Sequence, residues 1–291
     1  YSIFMASLKE VKTRIASVNS TRKITSAMKM VASSKLHHAQ QAIEQMRPYE
    51  SKVNEMMSTF VGTLEGDISS PYALCRPIQR VALIVFSSNS SLCGGFNGNV
   101  IKQLRHTIED YRSQGVEIKH LYPIGRKITE AVQKMGFPVG TDRSHLLDHP
   151  QYAPITEFAS EIMELFLKRE IDRVEMIYHH FKSAGTQVLV TEQFLPISFA
   201  GSSSTASTTN FIVEPSPCVL IEKLIPQALH LKLFSAMLDS LASEHAARVI
   251  AMQVATDNAD DLLRDLTLQY NKTRQQAITA ELLDIVGGSM Q

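Results

Sequence analysis

Residues 220–286, LIEKLIPQALHLKLFSAMLDSLASEHAARVIAMQVATDNADDLLRDLTLQYNKTRQQAITAELLDIV, decide the fold. Leu224, Leu231, Phe234, Leu238, Leu241, Val249, Met252, Ala259, Leu263, Leu266, Tyr270 and Ala277 recur there at spacings of three and four, the repeat of one helix face. No proline follows Pro226 and the next glycine is Gly287. At ~1.5 Å rise per residue, residues 226–285 make a helix ~90 Å long. A helix that long does not lie across one compact domain, so it needs a second long helix to cover its apolar stripe.

The other end of the chain supplies the partner. Leu8, Val11, Ile15 and Val18, then Ala32, Leu36, Ala39, Ile43, Met46, Val53, Met57 and Phe60, keep the spacing of a coiled-coil seam. Between these blocks the same register falls on Arg22, Thr25 and Lys29. The apolar stripe drifts there to Ile24, Ala27, Met28 and Val31, which predicts that the partner face turns. Pro48 predicts a kink or a division of this helix, and Pro226 a bend in the other. Gly62, Gly66 and the residues to Pro71 close the first helix.

The middle of the chain changes period. Residues 81–86, VALIVF, read as a strand buried on both faces. A polar, glycine-bearing turn at 87–98 leads into a helix through Val100, Leu104, Ile108 and Tyr111. A second strand follows at 117–125, a second helix through Ile128 and Val132, and a third at 153–169. Strand–helix–strand–helix order predicts a parallel sheet. Residues 173–180 and 187–191 read as a hairpin across 182–186. The expected class is therefore α/β, with two long terminal helices that pair as a shaft and carry an inserted small α/β domain. The expected divisions are 1–78 for the N-terminal helix and its connection, 79–200 for the α/β domain, 201–216 for a Ser/Thr-rich linker and 217–291 for the C-terminal helix. Ser216 and Pro217 read as the cap and first position of that last helix.

Composition narrows function by exclusion. Lys+Arg and Asp+Glu balance at 29 each, so net charge selects no partner. Three cysteines without a CxxC pair, Cys75, Cys93 and Cys218, fit a reduced compartment. No apolar run approaches the ~20 residues that cross a bilayer. The start at residues 1–5 is too short for a signal peptide, and Met5 is a candidate natural start.

Residues 87–98, SSNSSLCGGFNG, occupy the place where doubly wound proteins often hold phosphate. They lack GxGxxG, a GKS or GKT and a ribose-binding acid, so a tight strand-to-helix turn is the better reading. Cys93 has no basic partner tied to it by spacing and reads as a small turn residue. His37–His38 and His179–His180 are adjacent pairs whose side chains diverge, so neither chelates a metal alone. Asp257, Asp260, Asp261 and Asp265 read as a solvated acidic face. The N-terminal helix is basic, with Lys9, Lys12, Arg14, Arg22, Lys23, Lys29 and Lys35 against Glu10 between residues 7 and 36. Its lack of aromatics favours an acidic protein surface as much as nucleic acid.

Three stretches resemble the gamma subunit family of F-type ATP synthases. KITSAMKMVASSK (23–35) is similar to its N-terminal signature, LCGGFN (92–97) to its strand–turn motif, and 241–248, 255–259 and 270–279 to its C-terminal signature. The chain departs from the family at 88–91, SNSS, where Asp-Arg/Lys-Gly is usual. The resemblance implies a central rotor stalk, its two long terminal helices forming an antiparallel coiled coil, without catalytic residues, cofactor, metal, nucleotide or nucleic acid of its own. It implies alpha and beta subunits of the catalytic head, an epsilon subunit and a membrane c ring as partners. The implied location is peripheral, on the cytoplasmic side of a bacterial plasma membrane. By position it implies rotor–stator contacts at Met28, Arg248, Arg274 and Gln275, a shaft tip at Ile285 and Val286, and a foot toward the c ring and epsilon at Phe211 and Glu214. Two rivals differ in kind. A nucleotide-binding α/β enzyme needs a phosphate motif that is missing. A coiled-coil adaptor or nucleic-acid binder needs the two helices to bind alone, with steep salt dependence if the ligand is DNA.

Overall fold

The computed structural model describes residues 8–63, 70–197 and 217–288. The 201–216 linker, the foot positions Phe211 and Glu214, the Ser216 cap and the start at residues 1–5 lie outside the described residues. Helix α1 spans Leu8–Thr63, and the last helix, α6, spans Pro217–Gly288. Between them run β1 (Arg80–Phe86), α2 (Phe96–Ser113), β2 (Glu117–Ile124), α3 (Arg126–Lys134), the single turn α4 (His145–Asp148), α5 (Tyr152–Leu167), β3 (Arg173–Ser183) and β4 (Thr186–Leu195). The sheet order is β2-β1-β3-β4, with β2, β1 and β3 parallel and β4 antiparallel to β3. The hairpin is longer than its apolar core predicts, because polar residues such as Glu192 and Gln193 extend the pairing. The turn α4 escapes a periodicity reading, since four residues carry no period.

Pro48 and Pro226 both sit inside helices that are assigned without a break. The expected division at Pro48 is therefore absent. Packing on both sides of each proline outweighs the ~3 kcal/mol of a lost bond and ring clash. Val53 and Met57 beyond Pro48 are buried, as are Leu224 and Leu229 on either side of Pro226.

The chain divides into two compact units, Tyr1–Ser33 with Arg248–Gln291, and Ser34–Ala247. In the second unit the period of two along β1 sorts two cores. Val81, Leu83 and Val85 pack with Val100, Leu104 and Ile108 of α2 and with Ile128 and Val132 of α3. Ala82, Ile84 and Phe86 join Phe158, Ile162 and Phe166 of α5 and Leu229, Leu233 and Met237 of α6. A sheet covered on both faces explains why β1 reads as unbroken apolar sequence. Near the hairpin, Leu36 and Ile43 of α1 pack with Leu238, Ala242 and Ala246 of α6.

Candidate functional site

The first unit is a pair of helix segments, and polar residues set its register. Arg22 Nη1 donates to Asp260 Oδ1 at 2.9 Å. Thr25 and Thr256 share a hydroxyl hydrogen bond of 2.9 Å. Lys29 Nζ donates to Gln253 Oε1 at 2.6 Å, and Gln253 Nε2 donates to Asp257 Oδ1 at 2.7 Å. As α1 advances through 22, 25 and 29, α6 retreats through 260, 256 and 253, so the helices are antiparallel.

This overturns the expected turn of the partner face. Ile24 is 57% exposed and Val31 59%, while Arg22, Thr25 and Lys29 stay on the seam. Hydrophobicity points to the wrong stripe because three polar residues keep the interhelical positions by bonding across them. The complementary signal was available: 253, 256 and 260 mirror the spacings of 22, 25 and 29 with matching polar chemistry.

Exposed ion pairs contribute ~0–1 kcal/mol and neutral hydrogen bonds ~0.5–1.5 kcal/mol net, so these rungs specify register more than stability. We expect Thr25→Val with Thr256→Val to leave the thermal midpoint unchanged or slightly raised, because an apolar pair of the same shape replaces a satisfied one. Arg22→Asp should lower it, setting two carboxylates together, and Asp260→Arg in the same chain should restore it. Failure of that reversal in thermal unfolding would refute the pairing.

Carried on, the register brings Val18 level with Leu263, Ile15 with Leu266, Val11 with Tyr270 and Leu8 with Arg274. Val11 and Leu266 are indeed buried. Ala277, expected on the seam, is exposed, and its counterpart in register lies outside the described residues. No described residue of α1 stands opposite α6 beyond Arg274.

The positions implied by resemblance all fall in this unit apart from the two foot residues. Met28 is half-buried beside the Lys29 rung. Arg248 is turned inward, 9% exposed. Arg274 and Gln275 are exposed. The Arg274 guanidinium makes no ion pair or hydrogen bond with any described residue. Gln275 keeps its side-chain amide outward while its carbonyl accepts from Thr279 Oγ1 at 2.8 Å. Ile285 and Val286 are exposed large apolar residues.

The 87–98 turn, in the other unit, is a closed polar knot. Ser88 Oγ donates to Ser90 O, and Asn97 Nδ2 donates to Ser88 Oγ at 2.8 Å and to Cys93 Sγ at 3.2 Å. Cys93 is buried, and Leu92 beside it takes a left-handed φ of 67° and is exposed. The side-chain donors Ser88 Oγ and Asn97 Nδ2 are thus engaged within the loop. His179 stacks on Phe96 with ring centroids 4.3 Å apart, and burial pulls it down to about 4, leaving it neutral at pH 7. His180, on the opposite face of β3, meets Asp239 of α6. The adjacent histidines do diverge, as strand geometry requires.

Residues 7–290 match the protein-family model described as "ATP synthase". The ATP synthase gamma chain of Bacteroides fragilis is 56% identical over 290 residues, covering 98% of this chain and all of that one. The chain belongs to the ATP synthase gamma chain family. Other members are similar over the same extent, among them the gamma chains of Phocaeicola vulgatus, at 54% identity over 98% of this chain and all of that one, and Flavobacterium johnsoniae, at 43% over 98% of each. Among solved structures, the rotor of the Euglena gracilis mitochondrial ATP synthase gives a TM-score of 0.63 at 18% identity, covering 93% of this chain and 98% of that one. A second Euglena gracilis structure, of the OSCP/F1/c-ring assembly, gives 0.64 at 18% identity over 97% and 93%. The family's fold of long terminal helices around a small mixed sheet is the fold seen here. Membership makes this chain a central-stalk subunit of an ATP synthase. None of its described helices is long and apolar enough to cross a membrane.

Proposed function

We propose that this central-stalk subunit couples by rotation. Ion flow through a membrane ring of c subunits turns the helix pair inside a head of three alpha and three beta subunits, and ATP hydrolysis in the head turns it the other way. The chain works peripherally, on the cytoplasmic side of the plasma membrane, with an epsilon subunit beside its foot. Phe211 and Glu214 belong to that foot, toward the c ring and epsilon.

The observation that carries this reading is the lateral asymmetry of the paired-helix unit. One helix is basic, with Lys9, Lys12, Arg14 and Lys23, and also exposes Ile24, Met30 and Val31. The other carries Asp257, Asp260, Asp261 and Asp265 on exposed positions. A shaft that presents a different face at each angle drives three equivalent sites through different states in turn. Charge complementarity between the basic helix and an acidic-tipped beta loop guides contact without deep desolvation. Arg274 and Gln275 catch a beta-subunit loop, Met28 faces the pushing loop, and Arg248 supports that coupling from inside the helix pair. Ile285 and Val286 run in an apolar collar.

Two measurements test the reading. Expressed with alpha and beta subunits of the same organism, the tagged chain should co-purify with both in a complex that hydrolyses ATP. An adaptor would emerge without them. The chain by itself contributes no catalytic group and should bind no nucleotide, because residues 87–98 lack the lysine of a P-loop and the Ser/Thr that follows it. Micromolar ATP binding by calorimetry would overturn this.

A further inference from the structure

Where the β3–β4 hairpin lies on α1 and α6 there is a pocket of about 440 Å³ whose charged lining serves neither core. Helix α1 contributes Arg47 and Glu50, β3 contributes Tyr178 and His180, β4 contributes Glu192, and α6 contributes Lys232 and Asp239. All belong to the unit Ser34–Ala247.

The contacts tie strand to helix. His180 Nδ1 meets Asp239 Oδ2 at 2.5 Å. Tyr178 Oη donates to Glu192 Oε2 at 2.7 Å. Lys232 Nζ donates to Gln193 O at 2.7 Å and pairs with Glu192 Oε1 at 2.8 Å. Ser235 Oγ donates to Glu50 Oε2 at 3.4 Å.

Charge in this cluster does not balance at high pH. Three carboxylates, Glu50, Glu192 and Asp239, face two fixed cations, Arg47 and Lys232. One proton closes the account, and the contact between His180 and Asp239 is where it has two bases to hold it. Burial acts in the same direction. It pushes the Asp239 carboxyl above the usual carboxylate range, against the pull of His180. Glu50 is raised by burial too, against its bond from Ser235, with the Asp239 charge adding to the rise.

We propose that this cluster is a one-proton clasp, which holds the hairpin on α1 and α6 while the proton between His180 and Asp239 is present and loosens when it is lost. The fold favours the protonated cluster, so the clasp's stabilisation is complete at low pH and is lost as pH rises through the range in which the cluster gives up that proton. His179 has the opposite sign: held below its usual value, it favours the fold at higher pH and is lost on acidification. That contribution is common to variants at 180 and 239 and cancels in their comparison. Through the clasp, the docking of the hairpin on the two helices follows the pH of the surrounding solution.

The test uses the full chain between pH 5.5 and 8.5. Amide exchange of hairpin peptides, corrected for the intrinsic pH dependence of exchange, should show opening that rises with pH, while β1 does not follow. Asp239→Asn removes the excess carboxylate and should flatten the dependence. His180→Gln leaves the excess in place and should move the transition to lower pH, since the proton then resides on carboxylates alone. Hairpin protection that does not change with pH relative to β1 above pH 7, where His179 is neutral whether or not the hairpin is docked, overturns the proposal, whether or not the variants fold. So does an unaltered pH profile in Asp239→Asn.

Discussion

Replacing Gly125 with alanine should unfold the α/β core, costing about 4 kcal/mol or more, at the upper end of single substitutions. Gly125 joins β2 to α3 at φ 115° and ψ 139°, a conformation that side-chain-bearing residues rarely adopt. A Cβ there would stand 2.6 Å from Ser87 Oγ and 2.7 Å from Ser87 O. Ser87 cannot step aside. Its N–H donates to Ile124 O at 2.9 Å and its hydroxyl accepts from Ile128 N–H at 3.0 Å, tying β1 to the start of α3. The same change at Gly98, inside α2 with nothing within 4 Å of the added carbon, should be neutral or stabilising by up to about 1 kcal/mol. Thermal unfolding of the two variants side by side decides the matter. A Gly125→Ala chain that melts like Gly98→Ala would contradict the close approach of β1 and α3.

Arg274→Ala should lower both ATP synthesis and ATP hydrolysis by the assembled complex by tenfold or more, with subunit composition unchanged. The guanidinium is exposed and unengaged within the described chain, so its truncation leaves the helix pair intact. A charge-assisted hydrogen bond of about 1.5–3 kcal/mol is strong enough to pass torque and weak enough to break each turn. Its loss from the rate-limiting state corresponds to roughly tenfold to a hundredfold in rate. Met28→Lys should act in the other direction, adding an ammonium beside Lys29 that would bind the proposed acidic loop too firmly. Hydrolysis should persist while proton pumping per ATP falls. ATPase rate beside acidification of inverted membrane vesicles reads both effects. Unchanged turnover in Arg274→Ala, with wild-type pumping per ATP in Met28→Lys, would remove both residues from the proposed contact.

The long helices and the sheet were legible because burial leaves a periodic trace. VALIVF at 81–86 is apolar on both faces, since α2 and α3 cover one side and α5 and α6 the other. The seam between residues 22 and 29 was misread for the same reason, because its interhelical positions are polar and periodicity follows only what is greasy. Pro48 signalled a kink or a division and only the division is absent, since a local penalty cannot be weighed without the packing that opposes it. The exposed pair Arg274 and Gln275 leaves no trace in composition or period; its candidacy came from a resemblance of sequence. The His180–Asp239 contact joins residues 59 apart in sequence, a distance at which no spacing rule operates.

The final turns of α6 have a thermodynamic status of their own. Beyond Arg274 no described residue of α1 meets them, and Ile278, Leu282, Leu283, Ile285 and Val286 turn their apolar surface outward. A helix of fewer than about 12–15 residues is marginal in water when it stands by itself. In the proposed seat, the order of these last turns is shared with the surface that encloses them. Part of the affinity of any enclosing surface goes into winding the last turns, so its grip on the tip and the helicity of the tip rise and fall together. A wall residue that loosened the fit would cause the tip to fray before it caused it to leave.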